Sequence, residues 1–328
     1  MGKALVIVES PAKAKTIGKF LGSDFQVMAS MGHIRDLPEK KFGVDVENNF
    51  SLSYEENKSR KKVLDELKKA AKASETIYLA PDPDREGEAI AWHLKETLAK
   101  VSKAAFKRVT FHEITKTAIA KAFDDSHEVD QDRVDAQQAR RVIDRIVGWQ
   151  VSDFVRKNVF GAKSAGRVQT VALRLICERE KEIQDFVTRE YWSMKVKLAK
   201  STNEKFISTL AKLDGEKPDI PDGETANSLK AELETAQFTV SSVKSKERRQ
   251  NAAPPFITST LQQAASGSLR MSPTQSMRVA QQLYEGVEIG AEGTTGLITY
   301  MRTDSVSIAK EAQGAARDFV ANEYGSNF

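Results

Sequence analysis

An uninterrupted apolar run, "ALVIV", ends at Glu9, and the next residues, "SPAKAKTIGKFLG", change to a helical pattern. Ser10 stands where a cap belongs, Pro11 suits the first helical position, and Gly22 suits the stop. A buried strand leading into a helix is predicted, with Glu9 at the strand's carboxyl end. The pattern returns at "ETIYLA", which passes through the acidic turn "PDPDREG" into the helical "EAIAWHLKETLAK", and a short strand, "FKRVTF", follows. Two strand-to-helix units in series predict a mainly parallel α/β sheet, in which ligands bind beyond the carboxyl ends of the strands.

From about Val129 to Phe186 the period is helical and arginine recurs, as in "QQARRVIDRIVGWQVSDFVRK" and "SAGRVQTVALRLICEREKEIQ". A separate helical layer is expected there. Alternation in "YWSMKVKLAK", "KFISTLAKL" and "AQFTVSSV" predicts a small β region around "LDGEKPDIPDGE". The polar, proline-ended "KERRQNAAPP" reads as a linker, with helices at "FITSTLQQAAS" and "SPTQSMRVAQQLYEG" beyond it. The last motif is "GLITYMRTDS", whose first four residues read as a strand end or turn.

At 328 residues the chain is long enough for two or more domains, and 40% hydrophobic with 29% charged residues fits a soluble globular protein. No apolar run approaches the ~18 residues of a membrane span and no signal-peptide plan precedes the first strand, so a cytoplasmic protein is expected. The one cysteine, Cys177, precludes an internal disulfide or a multi-cysteine zinc site, and its helical pattern places it in a core. Net charge is only +4, so the local concentration of arginines says more than the sum.

In "DPDREGE", if extended, alternate side chains share a face, so Asp82, Asp84 and Glu86 can converge. Two carboxylates ~4 Å apart repel by about 4 kcal/mol at an effective dielectric near 20, which a bound divalent cation would reverse. Oxygen ligands with no histidine or cysteine beside them favour Mg²⁺. The bland alternative is a solvated acidic turn with Arg85 as partner. Glu9, ending the other strand, could share the crevice. Lys13, one turn into the next helix, could meet a phosphate there or be an ordinary solvated lysine. Arg141 and Arg145 share a helical face with Arg140 alongside, and Trp149 follows one turn on. This suits single-stranded DNA, whose bases stack on aromatics; alternatively, Asp144 pairs Arg140 or Arg141 and Trp149 is core.

The segments "LVIVESPAKAKTI", "GHIRDLP", "DPDREGEAIAWHL", "AQQARRVIDR", "SAGRVQTVALRLI", "PPFITSTLQQAAS" and "GLITYMRTDS", in this order, resemble the N-terminal part of the type IA DNA topoisomerases, in the bacterial topoisomerase I branch. The topoisomerase III branch usually has proline at the position of Met301. The resemblance implies a multi-domain α/β plus α fold, a partial type IA fold. Its parts would be a Toprim parallel sheet over 1–128, the first part of a helical DNA-binding domain over 129–186, the first part of a β arch over 187–251 and a truncated helical gate domain carrying the tyrosine over 252–328. It implies Mg²⁺ held by Glu9, Asp82, Asp84 and Glu86, and Tyr300 as nucleophile, assisted by Arg302, Glu9 and Lys13. DNA-contacting positions would be His33, Arg140, Arg141, Asp144, Trp149, Arg156, the run Ser164, Ala165, Gly166, Arg167, Val168 and Gln169, and Arg302. His33 could equally be a partly buried loop histidine.

The activity so implied is ATP-independent cleavage and religation of single-stranded DNA through a 5′-phosphotyrosine, relaxing negative supercoils in a longer parent, which would be a monomer associated with the bacterial nucleoid. The chain lacks GxxxxGK[ST], as an ATP-independent reaction permits. In the family the polypeptide continues past the tyrosine to complete the gate, helical and β domains, so a fragment is expected. A non-catalytic Toprim and DNA-binding module is the alternative reading, and a metal-dependent Toprim nuclease a weaker third.

Overall fold

A computed structural model of the chain describes residues 4–200, 202–248, 250–290, 293–302 and 305–325. Contacts divide it into two compact units, Met1–Arg167 with Ala252–Phe328, and Val168–Asn251.

The first unit is built on a four-stranded sheet of β1 (Ala4–Val8), β2 (Phe25–Ala29), β3 (Thr76–Leu79) and β4 (Ala105–Arg108), in the order β2-β1-β3-β4 and parallel throughout. Helix α1 (Pro11–Leu21) links β1 to β2; α2 (Lys61–Lys72) precedes β3, and α3 (Arg85–Leu98) links β3 to β4. Strand β1 is apolar at every position because both its faces are covered. Leu5 and Ile7 pack with Leu64, Leu67, Ile90 and Leu94 of α2 and α3, whereas Val6 and Val8 join Ile17, Ile119, Tyr284 and Tyr300 in a second cluster. Each such fully buried aliphatic side chain contributes about 1.5–3 kcal/mol. The connections leave β1 toward β2 and β3 toward β4, so the strand order reverses between β1 and β3. A crevice opens at such a reversal, outside the strands' carboxyl ends.

Around the sheet lie α4 (Lys116–Asp124), α5 (Gln131–Ile146) and α6 (Ser152–Asn158). A π-helical turn, Val147–Val151, joins α5 to α6 and contains Trp149. Further along the chain, α9 (Thr258–Leu269), α10 (Pro273–Glu285) and α11 (Lys310–Tyr324) flank the tyrosine motif. Tyr300 N donates to His112 O at 2.7 Å and Gly296 N to Ile114 O at 3.1 Å, tying the motif to the chain beyond β4.

The second unit comprises α7 (Gln169–Gln184), an antiparallel pair of β5 (Lys195–Ala199) and β6 (Lys205–Thr209), and α8 (Gly223–Thr235). Two expectations fail here. "AQFTVSSV" forms no strand, since alternation alone supplies no partner edge to pair with. Cys177 is exposed rather than core. The apolar positions of α7, such as Leu173, Leu175 and Ile176 at 61%, 61% and 65%, are open as well, so its periodicity marks a face that no described element of this unit covers.

Candidate active site

Glu9 directly follows β1 and Asp82 lies just beyond β3, so the two flank the reversal point of the sheet. Lys13 reaches the same place because Ser10 caps α1, its side chain accepting from Lys13 N at 3.3 Å, which sets Lys13 one turn inside the helix. Its ammonium is fully buried, donates to Asp82 and lies 3.8 Å from Glu9. Burial, then Asp82, drive the Glu9 carboxyl up to about 7 despite Lys13. Too much negative charge is gathered in this partly buried place for Lys13 alone to neutralise.

Asp84 caps α3 by accepting from Gly87 N at 2.8 Å. Its other oxygen accepts from the Tyr300 hydroxyl at 2.6 Å, although the two residues are 216 positions apart. Arg302 Nη1 lies 4.0 Å from that same oxygen. Tyr300 is only 4% exposed, its ring 5.2 Å from that of Tyr284. Burial first, then the Asp82 charge and the bond to Asp84, raise the phenol pKa far above its ordinary value, with Arg302 opposing. Burial draws the Arg302 guanidinium down, but Tyr300, Asp84, Asp82 and Glu9 outweigh it and raise its pKa. The tyrosine, the arginine and three acids therefore meet, with the tyrosine held as a neutral phenol.

Glu86 departs from expectation. Helix α3 begins at Arg85, so the alternation of an extended chain ends before Glu86, which lies in the first helical turn. It turns to Gln137 Nε2 at 3.1 Å and His33 Nε2 at 3.6 Å. Its pKa is held down to about 2, mainly by the His33 bond and against burial. Among the described residues no group of three or more His, Cys, Asp or Glu is already arranged to hold a metal ion. The donor chemistry of Glu9, Asp82 and Asp84 nonetheless fits a hard divalent cation, and the elevated Glu9 pKa is the charge imbalance that such a cation would relieve.

Residues that the sequence reading passed over hold this turn in place. Arg108, fully buried, donates to Glu88 and to the carbonyls of Leu79, Pro81, Asp82 and Val109 at 2.7–3.1 Å. The other Glu88 oxygen accepts from Asp130 N at 2.9 Å, at the cap of α5. Gly87 is required by crowding, because a Cβ there would sit 2.0 Å from Asp82 O. The only signals in the sequence were an arginine in a short strand and a glutamate on a helix, which are also common on surfaces.

Beside the acids lies a cleft of about 280 Å³ lined by His33, Asp36, Tyr54, Glu86, His93, Gln137, Arg140, Arg141, Asp144 and Arg167. It gathers five of the expected DNA-contacting residues. Arg141 is paired with Asp36 at 2.6 Å and Asp144 with Arg167 at 3.0 Å, so Asp144 serves neither Arg140 nor Arg141. Trp149 is not core: it is 37% exposed, under Arg145 at 5.5 Å. Arg156 is half exposed beside Asp153 at 3.6 Å. Ser164 is exposed, Gly166 half-buried, and Ala165 buried, its backbone held by the Ser152 hydroxyl at 2.9 and 3.1 Å. Val168 and Gln169 open the second unit. The Thr303 and Asp304 of "YMRTDS" lie outside the described residues.

Residues 4–114 match the profile of the Toprim domain, and residues 128–328 the profile described as DNA topoisomerase. DNA topoisomerase 1 of Rickettsia bellii is 47% identical over 331 residues, covering 99% of this chain and 41% of that protein. DNA topoisomerase 1 of Xylella fastidiosa (strain 9a5c) is 47% identical over 336 residues, covering 100% and 41%. The structure of full-length topoisomerase I from Thermotoga maritima matches with a TM-score of 0.84 and 40% identity, over 99% of this chain and 53% of that one. The chain spans about 41% of the length of these curated relatives, and its fold is part of the type IA topoisomerase fold. With a Toprim profile on its parallel sheet and the DNA topoisomerase profile over the rest, the chain belongs to the DNA topoisomerase family.

Proposed function

We propose that this chain carries the strand-transfer centre of a type IA DNA topoisomerase, with Tyr300 as nucleophile toward a phosphate of single-stranded DNA. The observation that carries the reading is the 2.6 Å bond joining the Tyr300 hydroxyl to Asp84 at the reversal point of the sheet. Attack by the Tyr300 oxygen on phosphorus forms a phosphotyrosine ester at the 5′ end of one strand segment and breaks the bond to O3′ of the other. The number of ester bonds is conserved, so reversal needs no external energy.

Two protons must move. The phenol proton passes along its bond to Asp84 as the ester forms, and returns on religation; Arg302 stabilises the charge that builds on the phosphate oxygens. Glu9, with a pKa near neutrality, can supply a proton to the departing O3′ and recover it on religation. Lys13, buried against Asp82, keeps the carboxylates from repelling one another. Glu9, Asp82 and Asp84 are the residues that would hold Mg²⁺, which supplies positive charge to the phosphate when bound; Glu86 would first have to release His33 and Gln137. His33, Arg140, Arg141, Asp144, Trp149, Arg156 and Ser164–Arg167 form the track for the strand in the first unit, with Trp149 as a stacking surface, and Val168 and Gln169 are DNA-contacting candidates at the start of the second. The divisions 1–128, 129–186, 187–251 and 252–328 are retained as functional parts, in a monomeric cytoplasmic enzyme acting near the nucleoid. No helix among the described residues is long and apolar enough to cross a membrane.

The test is incubation with a labelled single-stranded oligonucleotide and Mg²⁺, followed by a denaturing gel. A DNA-bound protein band that disappears in Tyr300→Phe is expected. Reversible binding without an adduct would favour the non-catalytic module instead, and cleavage surviving Tyr300→Phe would favour a nuclease using water.

A further inference from the structure

The cleft beside Glu86 has most of its charges already spoken for. Arg141 is paired with Asp36, Arg167 with Asp144 and His33 with Glu86. Among the described residues Arg140 is the lining cation with no carboxylate in salt-bridge range. A second donor comes from a lining residue to which neither the reaction nor the motifs assign a task. His93 is 3% exposed, and its Nδ1 accepts from Arg35 Nε at 2.6 Å. Arginine can only donate, so Nδ1 must be the bare nitrogen and the proton of the neutral ring sits on Nε2.

Arg35 is itself immobilised, its guanidinium 5.2 Å from the Tyr54 ring and 4.8 Å from the Trp92 ring. The His93 ring is wedged 4.6 Å from Tyr54 and 4.8 Å from Trp92. The stack therefore fixes both the tautomer and the orientation of His93. His93 lines the cleft, Nδ1 is taken up by Arg35, and Nε2 has no hydrogen-bond partner among the described residues, which leaves it to serve the cleft. A neutral donor in one fixed direction beside an unpaired guanidinium suits a ligand that joins an anionic group to a neutral acceptor.

We propose that His93 is a specificity-determining residue of the strand site, its Nε2–H donating to a base acceptor of the nucleotide whose phosphate Arg140 holds. The proposal rests on the strand-transfer reading above. It differs from the track residues in needing no positive charge: His93 reads an acceptor atom, and Arg35 is the positioning residue that keeps the donor aimed.

Two substitutions separate donor from scaffold. In His93→Asn the side-chain oxygen can still accept from Arg35, but the shorter amide donor does not reach the position of Nε2. In His93→Gln the longer amide can still donate into the cleft, but the acceptor for Arg35 is displaced. Expected for Asn is a Tm near wild type with single-stranded DNA bound about five- to tenfold more weakly, the worth of one hydrogen bond. Expected for Gln is a lower Tm with affinity within about twofold of wild type when measured well below that Tm. Fluorescence-anisotropy titration of a labelled oligonucleotide gives the affinities. An abasic scan along that oligonucleotide should find one position where base removal weakens wild type and leaves His93→Asn unchanged. Asn binding as tightly as wild type, loss of affinity only in step with loss of Tm, or an Asn defect that persists at every abasic position would each overturn the proposal. A wild-type chain that binds no DNA would instead overturn the strand-transfer reading itself.

Discussion

Arg108→Met should separate the scaffold of the acidic turn from its chemistry. In the wild-type chain the guanidinium, 0% exposed, makes five hydrogen bonds, to Glu88 and the carbonyls of Leu79, Pro81, Asp82 and Val109. Methionine fills similar space and makes none of them. Glu88, whose side chain is 1% exposed, would be left as a buried carboxylate whose one remaining partner among the described residues is Asp130 N. Stranding one member of a buried ion pair costs about 3–5 kcal/mol, and unpaired carbonyls add to that. This is a large part of the roughly 5–15 kcal/mol that holds an ordinary domain together. Urea unfolding followed by circular dichroism should show a midpoint far below wild type or no folded baseline. Arg108→Met with Glu88→Met, which removes the stranded charge, should recover at least about 2 kcal/mol while leaving the carbonyls bare. A single variant within about 1 kcal/mol of wild type, or a double variant no better than the single, would refute the reasoning.

Gly87→Ala forces a Cβ to within 2.0 Å of Asp82 O, a backbone atom, and should cost at least about 3 kcal/mol by the same denaturation measurement. Tyr54→Phe should leave the fold intact and raise Tm, because the Tyr54 hydroxyl is buried with no partner among the described residues and its removal relieves an unmet desolvation cost of about 1–3 kcal/mol; calorimetry reads the sign directly. Stability should fall on acidification below about pH 6.5, since burial first and then Arg35 lower the His93 pKa to about 3, and the unfolded chain takes up its proton first. That contribution is fully present above pH 6.5, is lost progressively down to about pH 3, and has a slope of at most about 1.4 kcal/mol per pH unit, which His93→Asn should remove.

Some of this molecule was already written in residue order. Ser10, Pro11 and Gly22 bracket α1, Asp84 caps α3, and continuous burial of β1 follows from a strand with no polar residue. These are local matters, decided by capping bonds and by side chains a few positions apart. Glu9 and Asp82 could be placed near one another because parallel strands share a carboxyl edge. The tyrosine motif was legible only through its resemblance to a family, since nothing local in "GLITYMRTDS" says where its hydroxyl points.

Only the tertiary structure decided the rest. That the Tyr300 hydroxyl donates to Asp84, that Lys13 is buried against Asp82, and that Glu86 leaves the other acids for His33 are pairings between distant segments. The same holds for Arg108 beneath the turn and for Arg35 setting the tautomer of His93. Periodicity likewise drew an apolar face on α7 and put Cys177 in a core, yet both are exposed in their unit. A sequence specifies which side chains share a face, but burial and hydrogen-bond partnership are properties of two surfaces meeting, and the second surface is chosen by the fold.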